Sequence, residues 1–295
     1  MTEQRRRERP ADYFADWKQR EALAESMIPA VGTLARERNV KCYIYGRSLV
    51  NQSVLDIMKS HRNVRQMEHN ELSEFETTPV INKMRQMDLG PAHIDIGRLA
   101  VEYFDRGKGE GLSVDEYVER QLSSLLSNVA TKANEPVDVV LYGFGRIGRL
   151  MARILIGKTD GGESLRLRAI VVRQGGAPND LVKRASLLRR DSVHGAFQGT
   201  IRVDEERQSF VANGNEVRVI YANAPEDIDY TAYGINNAIV IDNTGVWRDR
   251  EGLSRHLQAK GVNKVVLTAP GKGDLKNVVA GINNDVIDPE DKIIS

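Results

Sequence analysis

Three glycines at a fixed spacing carry the clearest chemistry in this 295-residue sequence. Gly143, Gly145 and Gly148 form a Gly-x-Gly-x-x-Gly run. It directly follows Val137-Asp138-Val139-Val140-Leu141-Tyr142, an apolar and β-branched stretch, and overlaps the start of the series Ile147, Leu150, Met151, Ile154 and Leu155, which recur at helical spacing. The same glycine pattern elsewhere can be a turn that binds nothing, but at a strand-to-helix junction it suits a pyrophosphate. Gly143 permits the tight turn, Gly145 lets the anion approach the backbone, and Gly148 allows close packing of helix on strand. The helix N-terminus then turns free N–H groups and a positive dipole toward the phosphates.

Other reactive side chains are sparse. Cys42 is the only thiol and lies in Val40-Lys41-Cys42-Tyr43-Ile44 without a partnering motif. A free cysteine in such a run behaves as a small hydrophobe, so it is read as half-buried and structural, not catalytic. Asp191 and His194 resemble an acid/base pair in spacing, yet a lone histidine beside a turn rarely catalyses without a positioned partner. No His, Cys, Asp and Glu cluster has metal-ligand spacing. The catalytic and metal sets are therefore both expected to be empty.

The elements needed to hold the glycine turn follow in order. After 137–142 and its helix, residues 165–173 read as a second strand, and strand–helix–strand is a parallel crossover unit. Residues 181–188 make a short helix. Strands are expected at 200–203 and 209–212. Asn213-Gly214 then turns the chain into Glu216-Val217-Arg218-Val219-Ile220, a hairpin signal. Further strands are expected at 238–241, 264–267 and 278–280, with a helix at 250–260. This is an α/β pattern with a Rossmann-type, mostly parallel sheet over residues 137–295. In such sheets ligands lie beyond the carboxyl ends of the strands, where the glycine turn, Asn243-Thr244-Gly245 and Thr268-Ala269-Pro270 fall.

Residues 1–136 read as an all-helical N-terminal segment. Trp17, Ala24, Met27, Ile28, Val31 and Leu34 keep helical spacing, with Pro29 as a kink or break. Val50, Val54, Ile57 and Met58 mark a second helix, and Val80, Ile81, Met84 and Met87 a third with Pro79 in its first turn. Ile96, Leu99, Ala100 and Tyr103 mark another, and Ser113-x-x-Glu116 opens the last, whose stripe is Val118, Leu122, Leu125 and Val129. The polar run 131–136, ending in proline, is the domain boundary. With 42 Lys and Arg against 41 Asp and Glu, the net charge of +1 provides no bulk field for nucleic acid or a membrane. A single cysteine excludes an intrachain disulfide and fits a cytoplasmic setting.

Gly143-Phe144-Gly145-Arg146-Ile147-Gly148-Arg149 resembles the signature of the glyceraldehyde-3-phosphate dehydrogenase family. Matches follow in family order: Asp191-Ser192-Val193-His194-Gly195, Asn243-Thr244-Gly245-Val246, Thr268-Ala269-Pro270, and Gly281-Ile282-Asn283 with Asp288-Pro289. The segment before them resembles the helical extension of the family's long bacterial form. The resemblance implies NAD or NADP as cofactor and partner, a glycolytic aldehyde-phosphate dehydrogenase as parent, and a homotetramer. It implies cofactor contacts at Gly143, Phe144, Gly145, Arg146, Ile147, Gly148, Asn243, Thr244, Gly245 and Thr268, with Arg173 and Gln174 at the end of the second strand. An erythrose-4-phosphate dehydrogenase or a non-enzymatic nucleotide-binding protein are the alternatives. The family's nucleophilic cysteine follows a segment like Lys292-Ile293-Ile294-Ser295, so the sequence is expected to be an inactive cofactor-binding fragment.

Three departures from the family pattern bear on the cofactor. Tyr142 replaces the usual Asn before the first glycine, and Asn223 replaces an Arg near the adenine. The second strand ends in Arg173-Gln174-Gly175-Gly176 with no acid until Asp180. That acid normally binds the ribose 2′-hydroxyl of NAD and repels the 2′-phosphate of NADP. Its absence predicts weak discrimination against NADP, with Arg173 a candidate for the 2′-phosphate.

Overall fold

The structure, a computed structural model, describes residues 10–68, 71–107, 109, 111–126, 136–158, 165–175 and 179–295. The expected boundary residues 131–135, the helical-stripe residue Val129 and Gly176 lie outside them. The chain divides into two compact units, Met1–Ala133 and Asn134–Ser295.

The first unit is built on helix α1 (Tyr13–Arg38), which Asp12 caps by accepting from the N–H groups of Phe14 and Ala15. The helix runs through Pro29 instead of breaking there. Pro29 is exposed, opposite the buried stripe Ala24, Met27, Ala30, Val31 and Leu34, so water can satisfy the carbonyl that loses its amide partner. Trp17 and Ile28, expected in the stripe, are 44% and 40% exposed. Strand β1 (Val40–Ile44) follows, then β2 (Arg47–Ser48), α2 (Val54–Asn63), α3 (Arg65–Glu68) and α4 (Glu74–Gln86). Pro79 is not in the first turn of α4. The helix starts five residues earlier, where the Glu76 carboxylate accepts the Ser73 N–H at 2.8 Å. Strand β3 (Ala92–Asp95) and helices α5 (Ile96–Phe104) and α6 (Val114–Leu122) complete the unit, α6 opening at the expected Ser113–Glu116 cap.

The expectation of an all-helical segment needs correction at one place. β1 pairs antiparallel with β2 and parallel with β3 in a small sheet. Val40, Cys42 and Ile44 alternate inward and are fully buried, the period-2 pattern that a half-buried sheet requires. Cys42 is thus more deeply buried than expected, and burial pushes its thiol up to about 12.

The second unit begins with β4 (Val137–Tyr142), α7 (Arg146–Lys158), β5 (Leu165–Val172) and α8 (Asp180–Arg189). A small ribbon, β6 (Arg190–Asp191) with β7 (Gly195–Ala196), precedes β8 (Ile201–Asp204), β9 (Ser209–Ala212) and β10 (Asn215–Tyr221). The chain ends with β11 (Ala238–Asp242), α9 (Arg250–Leu257), β12 (Val262–Leu267) and β13 (Ile293–Ile294). Eight strands form one sheet in the order β13-β12-β11-β4-β5-β10-β9-β8. The six from β13 to β10 run parallel, while β9 and β8 are antiparallel additions. Asn213 and Gly214 both take positive φ, as a two-residue hairpin turn requires.

The parallel strands are buried on both faces. Val139, Leu141 and Leu167 pack with Ala152, Leu155 and Ile156 of α7 on one side. Val140, Ala169 and Val171 pack with Tyr230 and Ile235 on the other. Residues 278–280 are not a strand. β13 takes the place beside β12, pairing with Val265 and Val266, and Val278 only donates its N–H to the Ser295 carbonyl at 2.7 Å.

Candidate functional site

The sheet order reverses direction at β4, which has β5 on one side and β11 on the other. Ligands of open α/β sheets lie at that switch point, beyond the carboxyl ends of the strands. β4 ends at Tyr142 and the chain turns at Gly143, whose φ is +91°. A Cβ on Gly143 would lie 2.8 Å from Thr244 Cγ2, so only glycine fits between the two loops. A Cβ on Gly148 would lie 2.4 Å from the Gly143 carbonyl oxygen, the close helix–strand approach expected of the third glycine. Gly145 differs. A Cβ there would meet nothing within 4 Å, so its face is open space. The first intrahelical bond of α7 runs from the Arg149 N–H to the Gly145 carbonyl at 3.0 Å. The N–H groups of the preceding first turn are the ones a helix leaves for an anion.

Above this turn lies a cleft of about 380 Å³. It is lined by Tyr142, Gly143, Phe144 and Gly145, by Val172 and Arg173 at the end of β5, and by Arg184, Ala222, Thr244 and Trp247. No Asp or Glu lines it among the described residues. The acid missing from the end of β5 is partly replaced in space by Asp180, yet that carboxylate is already engaged. Arg184 Nε donates to it at 2.6 Å and the Tyr221 hydroxyl at 3.0 Å. Arg184 also donates to the Arg173 carbonyl at 3.1 Å. The Arg173 guanidinium itself has no hydrogen bond or ion pair among the described residues.

The structure brings Gly143, Phe144, Gly145, Arg173 and Thr244 together in the cleft wall. Arg146 and Ile147 open α7 and are exposed, with Arg146 paired to Asp191 at 3.3 Å. Gly148 packs against the turn beneath. Gln174 lines a neighbouring hollow with Gly175, Asp180 and Tyr221. Asn243 donates its side-chain amide to the Ile241 carbonyl at 3.0 Å, and Gly245 has φ +64°. Thr268 donates its hydroxyl to the Asp242 carbonyl at 3.1 Å. These last three shape the loops after β11 and β12 and do not line the cleft. Asn223 is exposed and also lies outside its wall. Sequence reasoning missed Arg184 and Trp247. The Asp180–Arg184 spacing of four on a helix was the only available signal for the first.

Asp191 and His194 form a closed turn. The Asp191 carboxylate accepts the His194 N–H at 2.9 Å, the His194 ring at 3.0 Å and the Val193 N–H at 3.0 Å. These bonds, the His194 N–H first, hold it well below the usual carboxylate range. No group of three or more His, Cys, Asp and Glu among the described residues is placed to hold a metal. No helix among them is long and apolar enough to cross a membrane.

A parallel sheet with a glycine turn at its switch point defines a dinucleotide-binding α/β domain. Residues 137–250 match the family described as glyceraldehyde 3-phosphate dehydrogenase, NAD binding domain. The chain is 55% identical over 271 residues to a glyceraldehyde-3-phosphate dehydrogenase-like protein of Pseudomonas aeruginosa, covering 91% of this chain and 58% of the relative. It is 40% identical over 159 residues to glyceraldehyde-3-phosphate dehydrogenase of Streptococcus pyogenes, covering 54% of this chain and 44% of that protein. The chloroplastic glyceraldehyde-3-phosphate dehydrogenase A of Zea mays is 38% identical over 160 residues, 54% of this chain and 37% of its own length. The chain thus spans little more than half of the first of these relatives and less than half of the other two. Residues 137–250 of the second unit thus match the nicotinamide-dinucleotide-binding domain of the glyceraldehyde-3-phosphate dehydrogenase family.

Proposed function

We propose that the cleft above Gly143–Gly148 binds NAD or NADP and that the chain is the cofactor-binding part of a cytoplasmic, homotetrameric, phosphorylating glyceraldehyde-3-phosphate dehydrogenase of glycolysis and gluconeogenesis. The open face of Gly145, beside a helix N-terminus and under a cleft free of carboxylates, carries this reading. The turn residues Gly143, Phe144, Gly145, Arg146, Ile147 and Gly148 hold the pyrophosphate. Arg173 faces the adenosine ribose from the cleft wall while Gln174 flanks it from the neighbouring hollow, and Asn243, Thr244, Gly245 and Thr268 shape the path toward the nicotinamide. When bound, the nicotinamide supplies a hydride acceptor. Titration calorimetry with NAD and NADP tests the reading, and a lack of saturable binding of either would overturn it.

Two further results are expected. Cys42, the sole cysteine, is buried and its thiol is pushed to about 12, so very little nucleophilic thiolate is present near neutral pH. We assign it no catalytic role. The chain is expected to show no thiol-dependent oxidation of glyceraldehyde-3-phosphate, in the original or the Cys42→Ser form; turnover that vanished with the substitution would reverse the assignment. The N-terminal unit has its own core and is proposed to supply no cofactor contacts. Hydrogen exchange should show dinucleotide-induced protection within 137–295 and none within 10–126.

A further inference from the structure

Behind the cleft sits a buried polar pair that the cofactor reading does not use. His256 on α9 and Asp242, the last residue of β11, are both fully buried. The His256 Nε2 lies 3.0 Å from Asp242 Oδ2, and Asp242 Oδ1 accepts the Thr244 N–H at 2.7 Å and the Thr244 hydroxyl at 2.6 Å. The Thr244 oxygen in turn accepts the Val246 N–H at 3.1 Å. Every bond in this chain has a donor and an acceptor once His256 carries its proton on Nε2. The chain ends at the cleft, because Thr244 lines it and its methyl presses on the Gly143 turn. The His256 ring is also clasped edge-on by two cleft residues, Tyr142 at 4.7 Å and Trp247 at 5.8 Å between ring centres.

The other ring nitrogen, Nδ1, is buried without a hydrogen-bond partner among the described residues. A buried, unsatisfied polar atom is destabilising, so for packing alone an apolar side chain would serve α9 better. What the imidazole contributes is the bond to Asp242, and that bond fixes one oxygen of the carboxylate while the other holds the loop after β11.

We propose that His256 is a positioning residue for the cleft: acting through Asp242, it holds Thr244 and residues 243–246 in the conformation that receives the dinucleotide. The part that concerns affinity rests on the cofactor reading, whereas the ordering of the loop does not. The test uses the full chain with His256→Gln, whose carboxamide can still donate to Asp242, and His256→Met, which fills similar space without a donor. His256→Leu replaces the latter if it does not fold. Calorimetry is expected to show dinucleotide affinity reduced about tenfold in the donor-free variant and restored to within about threefold of the original by Gln, the size expected for a bond to a charged group. In the ligand-free protein, the Thr244 and Val246 amides should exchange faster in the donor-free variant and at the original rate in Gln. Equal losses in Gln and the donor-free variant, tracking equal falls in melting temperature, would make His256 merely structural and overturn the proposal. Unchanged affinity and exchange in both would overturn it too. If the original protein binds no dinucleotide, the cofactor reading falls while the exchange comparison still decides whether His256 orders the loop.

Discussion

Gly145→Val is expected to reduce dinucleotide affinity by more than a hundredfold while leaving the melting temperature within a few degrees of the original. Gly145 has no positive φ, and a Cβ built on it meets nothing, so neither backbone nor packing resists a side chain there. The added isopropyl group would occupy the space over the helix N-terminus that a pyrophosphate needs. Gly148→Val is the contrasting variant. Its Cβ would lie 2.4 Å from the Gly143 carbonyl, forcing α7 away from β4. Overpacking of this kind typically costs about 1–3 kcal/mol, so this variant should lose stability as well as affinity. Calorimetry with thermal denaturation separates the two cases. Dinucleotide binding retained by a folded Gly145→Val would remove the glycine turn from the site.

That contrast also marks what a sequence can disclose. The turn was legible because Gly143, Gly145 and Gly148 must sit at fixed spacing between strand and helix, and local geometry dictates all three. The Asn213-Gly214 hairpin was legible for the same reason, since both residues take the positive φ that the turn requires. Strand β1 was harder to read. Val40–Ile44 is five residues long and follows a 26-residue helix, so its alternation was too brief to stand out from helical surroundings. The apolar triplet 278–280 misled in the opposite direction, because strand formation depends on a partner and β13 holds the place beside β12. α1 passes Pro29 because tertiary packing of its buried stripe outweighs one lost backbone bond.

The site divides along the same line. Residues on the turn and at strand ends follow from topology, so Gly143, Phe144, Gly145, Arg173 and Thr244 could be named in advance. Arg184, Trp247, Asp242 and His256 reach the cleft or its support from different parts of the chain. Their convergence is a product of how α8 and α9 pack on the sheet, which no local spacing encodes. Gln174 shows the reverse. It neighbours Arg173 in sequence, yet it lines a different hollow, because successive residues leaving a strand point to opposite sides.

Arg173→Ala is expected to weaken NADP binding by about ten- to a hundredfold and to leave NAD within about twofold. Arg173 lies at the end of β5, where an acid would read the ribose 2′-hydroxyl, and it lines the cleft. Its guanidinium has no competing partner among the described residues, whereas Arg184 beside it is held by Asp180. The closest acid in sequence therefore does little to repel a 2′-phosphate, its charge being matched by Arg184 and its oxygen shared with Tyr221. Gly175 lets the chain pass close over that carboxylate, since a Cβ there would lie 2.7 Å from Asp180 Oδ1. A charge-assisted bond to the phosphate contributes roughly 1.5–3 kcal/mol, which sets the expected factor. Arg173→Lys separates charge from geometry. A lysine keeps the charge but not the two-pronged contact, so it should fall between the original and the alanine variant. The contribution of Arg173 to NADP binding should also shrink as salt is raised, because the contact is open to solvent. Calorimetry with both cofactors at fixed ionic strength measures the ratio. A strong preference for NAD that is unchanged in Arg173→Ala would show that Arg173 is a solvated strand-end charge with no part in cofactor choice.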